Sequence, residues 1–140
     1  ACEFLIDYGN AFAPNNLKFS AFYLHQATER FYACLLLVLS NYRPSTHNIK
    51  HLHRLSMEYS GGPESPIAVI FPGENRFQRR CFNLLKRAYV DSRYSEHFEI
   101  TREELDWLFE QVQQLKVTVK QLCDAHIQQL ATLGEADNSQ

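Results

Sequence analysis

The sequence predicts an all-α protein, an antiparallel bundle of about five helices. Three observations lead there. Leu17 to Tyr42 contains no glycine or proline, and Leu17, Ala21, Leu24, Thr28, Phe31, Leu35 and Val38 recur at three and four residues. Thr101-Arg102-Glu103-Glu104 reads as a capping box, and it opens a second long stripe of Leu105, Leu108, Val112, Leu115, Val119 and Leu122. The one strand-like run, Ile67 to Phe71, has no partner strand in the chain.

Ala1 to Ala13 forms a short helix with Phe4, Leu5, Tyr8 and Phe12 on one side, and Pro14-Asn15-Asn16 breaks it. The central helix follows and stops before Arg43-Pro44, because the residue preceding proline disfavours helix. Its second half, Phe31 to Leu39, is an unbroken apolar run and is expected to be enclosed by other helices. That run falls short of the roughly 18 apolar residues a membrane span needs. Ser45 or Thr46 then caps a third helix over His47 to Tyr59.

Ser60 to Asn75 is a connection bracketed by glycines and prolines. Its apolar centre, Ile67 to Phe71, packs either as an ordered loop or against another molecule. The fourth helix runs over Arg76 to Ser95, with Phe77, Cys81, Leu84, Ala88 and Phe82, Leu85, Tyr89 making a broad apolar face. The last helix ends near Leu130. The domain therefore occupies residues 1–133, and residues 134–140 are a frayed tail.

A chain of 140 residues is one domain with one sizeable core. The net charge of −2 gives no global attraction to nucleic acid or membrane. The distribution is uneven, however. Residues 43–93 hold nine basic and four acidic groups, whereas residues 94–140 hold three basic and nine acidic. That asymmetry suits a charged face or a charge-complementary dimer, and equally two solvated faces. Cys2, Cys34, Cys81 and Cys123 form no C-x-x-C pair, and the last three sit among apolar neighbours. Buried free thiols in a reducing, cytoplasmic compartment fit best. No secretory or lipidation signal is present, and the opening on Ala1 suits a domain cut from a longer chain.

Three segments together resemble the HEPN family of helical domains. Ala21 to Leu39, AFYLHQATERFYACLLLVL, is similar to that family's first long helix with its H-Q-A-x-E signature. Ser45 to Leu52, STHNIKHL, is similar to the Thr-His element opening the next helix. Leu84 to Leu105 is similar to the family's Tyr…Arg-Tyr segment before the last helix. The resemblance covers about Ala21 to Ile127, and it is strongest to bacterial domains fused behind a nucleotidyltransferase domain. It implies a homodimer with polar signature residues near the dimer cleft, an upstream nucleotidyltransferase domain or cognate protein, and nucleotide or RNA as ligand. Toxin-type members cut RNA without metal, using an Arg and a His separated by four to six residues. Here the nearest match is Arg93-Tyr-Ser-Glu-His97, with three between.

Each candidate has a chemical and a structural reading. Arg93 and His97 could hold a phosphate and shuttle a proton. Alternatively, Arg93 pairs with a bundle carboxylate and His97 is a surface group. His25 and Glu29, one turn apart beside the core stripe, orient a ligand or form a buried network, with Arg93 as Glu29's partner. His47 belongs to the Thr-His element, near a base or phosphate. His47, His51 and His53 lack the carboxylate or cysteine that would complete a metal site, so no metal is expected. Arg79, Lys86 and Arg93 fall seven residues apart, with Tyr89 and Tyr94 interleaved. They make a modest nucleic-acid stripe or a solvated face. No P-loop, G-x-G-x-x-G, G-x-S-x-G or nucleotidyltransferase acid pair occurs, so no cofactor is implied and the chain cannot itself transfer nucleotides. The competing functions are thus a nucleotide- or RNA-binding module with ligand groups His25, Glu29, His47, Arg79, Lys86 and Tyr94, a composite ribonuclease using Arg93 and His97, and a dimerisation scaffold.

Overall fold

The long uninterrupted stretch becomes the central helix of the protein. In a computed structural model, which describes residues 1–138, five helices follow one another: α1 (Cys2–Phe12), α2 (Leu17–Ser40), α3 (Ile49–Tyr59), α4 (Arg76–Tyr94) and α5 (Arg102–Asn138). Among the described residues there is no strand. Helix α2 packs against all four of the others. Its Ala21, Leu24, Ala27, Leu35 and Leu36 are buried, as are Ile49 and Leu52 of α3, Cys81, Leu85 and Ala88 of α4, and Leu105, Leu108, Val112 and Leu115 of α5. Burial of each such leucine or isoleucine contributes about 1.5–3 kcal/mol.

The capping box at α5 forms as its sequence requires. The Glu104 amide donates to Thr101 Oγ1 at 3.1 Å, and the Thr101 amide donates back to Glu104 Oε1 at 2.9 Å. Arg102, next in line, ties this start to the α1–α2 turn. Its Nη1 donates to the Phe12 carbonyl at 2.9 Å and to Asn15 Oδ1 at 3.0 Å, with the guanidinium over the Phe12 ring.

Several local expectations change. Helix α2 ends at Ser40, where Asn41 takes a left-handed conformation with φ 57°. Its apolar second half is not enclosed all round, since Leu37 is 50% exposed and Cys34 is exposed as well. Cys34 is therefore no buried thiol. Helix α3 is capped by Asn48, not by Ser45 or Thr46. The Asn48 side chain accepts from the amides of Lys50 and His51, so the helix begins after His47. The Ile67–Phe71 run is part of this chain's own core: two short 3-10 turns bury Ile67, Ile70 and Phe71, and the Phe71 amide donates to Gln111 Oε1 at 2.9 Å.

Helix α5 continues well beyond Leu130. At 1.5 Å per residue it is about 55 Å long against about 36 Å for α2. Its last buried core residue is Cys123, and Ile127, Leu130 and Leu133 are exposed. Of the tail expected at 134–140, residues as far as Asn138 are helical, and 139–140 lie outside the described residues. Among the described residues no helix is long and apolar enough to cross a membrane.

Candidate functional site

Phe22, His25 and Glu29 lie three and four residues apart on α2, so they share one face of the helix. Tyr89 and Arg93, four apart on α4, form the facing row. His47 comes from the extended segment before α3 and closes the group. Because α3 starts only after Asn48, the His47 backbone is outside the helical ladder and its carbonyl is free to accept. His25 Nε2 donates to that carbonyl at 3.1 Å. The His47 ring then returns to α2, where Nδ1 donates to both Glu29 carboxylate oxygens at 3.0 and 3.1 Å.

His25 and Glu29 are buried, whereas the His47 side chain is 57% exposed. The network therefore runs from the core to solvent. Burial pushes the His25 pKa down to about 4, against the opposing pull of its bond to the His47 carbonyl. His25 is neutral at pH 7 with its proton on Nε2. Its Nδ1 has no hydrogen-bond partner and stands 3.8 Å from Glu29 Oε2, too far for a bond to the carboxylate. Glu29 and His47 also border a cavity of about 290 Å³, together with Arg43 and Thr46.

Rings cover this network. The His47 imidazole stacks on Tyr89 at 4.2 Å and 13°, and His25 lies 5.5 Å from the same ring. The Arg93 guanidinium sits 4.9 Å from the Tyr89 and Phe22 ring centres and 5.1 Å from that of Tyr94. Its Nε donates to the Tyr89 carbonyl at 3.0 Å. Arg93 is thus held by aromatic faces and not by Glu29, whose partner is His47. Tyr94 is 75% exposed.

The other basic candidates lie elsewhere on α4. Arg79 and His97 line a separate cavity of about 460 Å³ with Arg76, Arg80 and Arg87. Helix α4 ends at Tyr94 and Ser95 is extended, so Arg93 and His97 do not share a helical face within one chain. Lys86 is half-buried and lines neither cavity. The Arg79–Lys86–Arg93 line is therefore divided between two surroundings. The three histidines near α3 also go separate ways: His47 to Glu29, His51 accepting from Arg54 Nη2 at 3.0 Å, and His53 accepting from the Tyr32 hydroxyl at 2.7 Å. Among the described residues no group of three His, Cys, Asp or Glu could hold a metal ion.

The three segments that carry the sequence resemblance meet in this one cluster. His25 and Glu29 come from the first, His47 from the second, Tyr89 and Arg93 from the third. The HEPN domain model matches residues 1–122. The chain belongs to the HEPN family. No curated protein matches it. The HEPN match takes in α1, ahead of the segments that first suggest it, and it ends one residue before Cys123, the last buried core position. Within this HEPN fold, Phe22 is the group that the sequence analysis did not single out, and Tyr89, expected on the apolar face of α4 or among the rings of a nucleic-acid stripe, is the ring against which His47 and Arg93 are set. The signal was the matching of rows, Phe22-His25-Glu29 on one helix with Tyr89-Arg93 on another, each at helical spacing.

Proposed function

We propose that this HEPN chain is a binding module for nucleotide or RNA, acting as a homodimer beside a nucleotidyltransferase domain in a reducing, cytoplasmic compartment. The observation that carries the reading is the His25–Glu29–His47 network under the Tyr89 ring. Its buried end is fixed, and its outer end offers an imidazole edge, an arginine, the half-buried Phe22 and Tyr89 rings and the exposed Tyr94 ring at one place. Such a surface suits a nucleobase, which stacks on aromatic and guanidinium planes, with its phosphates near cationic groups. Tyr94 and Arg93 extend the ring surface, while Lys86 on the same helix supplies charge for phosphates; Arg79 lies in the second cavity, about 21 Å along α4 from Arg93. Homodimerisation draws support from apolar side chains left open, among them Phe19 at 49% and Leu37 at 50% exposure on α2, and Ile127, Leu130 and Leu133 on α5.

A ribonuclease reading has one observation in its favour. Arg93 and His97 are both exposed, and among the described residues neither has a carboxylate within ion-pair distance. Two protomers could therefore present one of each to a single phosphate. Labelled oligouridylate incubated with the protein and a chelator separates the readings. The binding module predicts saturable binding lost in Tyr89→Leu and Arg93→Ala, with the RNA left intact. Cleavage that survives the chelator and vanishes in His97→Ala would establish the nuclease instead.

A further inference from the structure

The second cavity holds a feature that the ring cluster does not use. Arg76, Arg80 and Arg87 fall at i, i+4 and i+11 of α4, and Arg79 lies beside them. All four line one depression with His97, within about 16 Å of helix length. Like charges on adjacent helical turns repel one another, so four guanidiniums along one face are a standing cost unless anions offset it.

Two of the four guanidiniums have a carboxylate partner. Glu104, buried and engaged in the α5 capping box, accepts from Arg80 Nε at 2.9 Å. Asp91 accepts from Arg87 Nε at 2.8 Å. Arg79 Nη1 donates only to the neutral Gly73 carbonyl at 3.0 Å, and Arg76 has no carboxylate within ion-pair distance among the described residues. Glu99 is the one carboxylate on the cavity wall. With four guanidiniums against Glu104, Asp91 and Glu99, the depression keeps a positive excess, and its unpaired guanidiniums among the described residues are Arg76 and Arg79, three residues apart on α4.

We infer that this depression is a binding site for a compact oligophosphate, such as the phosphate chain of a nucleotide. A guanidinium presents paired N–H donors that match phosphate oxygens, and several converging on one concave site favour clustered charge over a single monoanion. A volume of about 460 Å³ accommodates two or three phosphoryl groups with their water. The inference rests on the proposed reading only for its ligand class. Its residues are not those of the ring cluster.

Calorimetric titration of the whole protein with inorganic tripolyphosphate, at fixed ionic strength, tests it. Saturable binding is expected, weakened roughly tenfold or more in Arg76→Gln/Arg79→Gln. Asp91→Asn, which releases Arg87, is expected to tighten binding severalfold, an effect of opposite sign that damage to the fold would not produce. Tyr89→Leu is expected to leave it unchanged. Absence of saturable binding, or equal affinity in the double variant, overturns the inference. If oligouridylate binds and needs Tyr89 while tripolyphosphate does not bind, the depression is no oligophosphate site and the ring cluster stands. If neither binds, both readings fall. Oligouridylate displacing bound tripolyphosphate with full sensitivity to Arg76→Gln/Arg79→Gln would instead assign the depression to the phosphodiesters of an RNA strand, overturning the choice of a free oligophosphate.

Discussion

The two charged regions of α4 are built on opposite principles. Around Tyr89 most polar groups have a fixed partner, and the charges are few. His25 is closed off from solvent, Glu29 is doubly bonded, and Arg93 lies against three rings. Around Arg79 the charges are many, exposed and only partly matched. The first region is tied to folding, because losing one member leaves a buried group without its partner. The second stands at the surface, where solvent replaces any lost contact. Substitutions should therefore separate them by stability before any ligand is added.

The largest effect is expected at His47. His47→Leu removes the donor that holds Glu29, leaving a buried carboxylate unpaired at a cost of about 3 kcal/mol. Adding Glu29→Gln to that variant should recover much of the loss, since the charge disappears with its partner. Denaturant unfolding of the two single variants and the double variant measures this coupling. Independent, additive losses would mean that Glu29 is solvated and that the two regions do not differ in kind.

Next comes acid. The His25 pKa is lowered from 6.5 to about 4 in the folded state, so between those values the unfolded chain binds a proton that the native one refuses. The stability this provides is complete above about pH 6.5 and falls as pH drops toward 4, by about 3 kcal/mol in all. In His25→Gln that part of the acid slope should be missing. An identical slope in the variant would show that the folded protein takes up a proton at His25 as readily as the unfolded chain does.

A smaller loss, about 1 kcal/mol, is expected for Asn48→Ala, which removes the α3 cap. Its interest lies in where it is felt. The capping residue directly follows His47 and fixes the helix start at Ile49, so the variant should also broaden or shift the His47 imidazole signals in NMR spectra. A stability loss with those signals unmoved would leave the cap with no part in placing the cluster.

How much of this was legible in sequence follows the same division. The long helices were readable because apolar periodicity and the Thr101–Glu104 box are local signals, and both were realised. The α3 start was misplaced, because Ser45, Thr46 and Asn48 are all good caps and only tertiary contacts select Asn48. The Glu29 partner was misassigned to Arg93 for a related reason. Helical spacing places each residue on a face, but it does not say that a non-helical His47 will reach across first. Cys34 was misread because an apolar neighbourhood in sequence need not be enclosed in space, and that side of α2 is left open by the other helices. The split of the arginine line was hidden as well, since residues seven apart lie on one line of the helix, but the rise of about 21 Å between Arg79 and Arg93 carries them into different surroundings.

The smallest stability change is expected in the arginine depression, and it gives the sharpest contrast. The Arg87–Asp91 pair is one turn apart and exposed to water, so Arg87→Gln should alter stability by about 0.5 kcal/mol or less. Removing a like-charged neighbour of Arg80 relieves repulsion, which offsets part of the lost pairing. The melting temperature should therefore barely move in low salt, and any small difference should vanish as salt screens both effects. A loss comparable to that of His47→Leu, persisting at high salt, would mean that Arg87 is locked into the packing. The depression would then be a second structural network like the first, and its charge would no longer be free for a ligand.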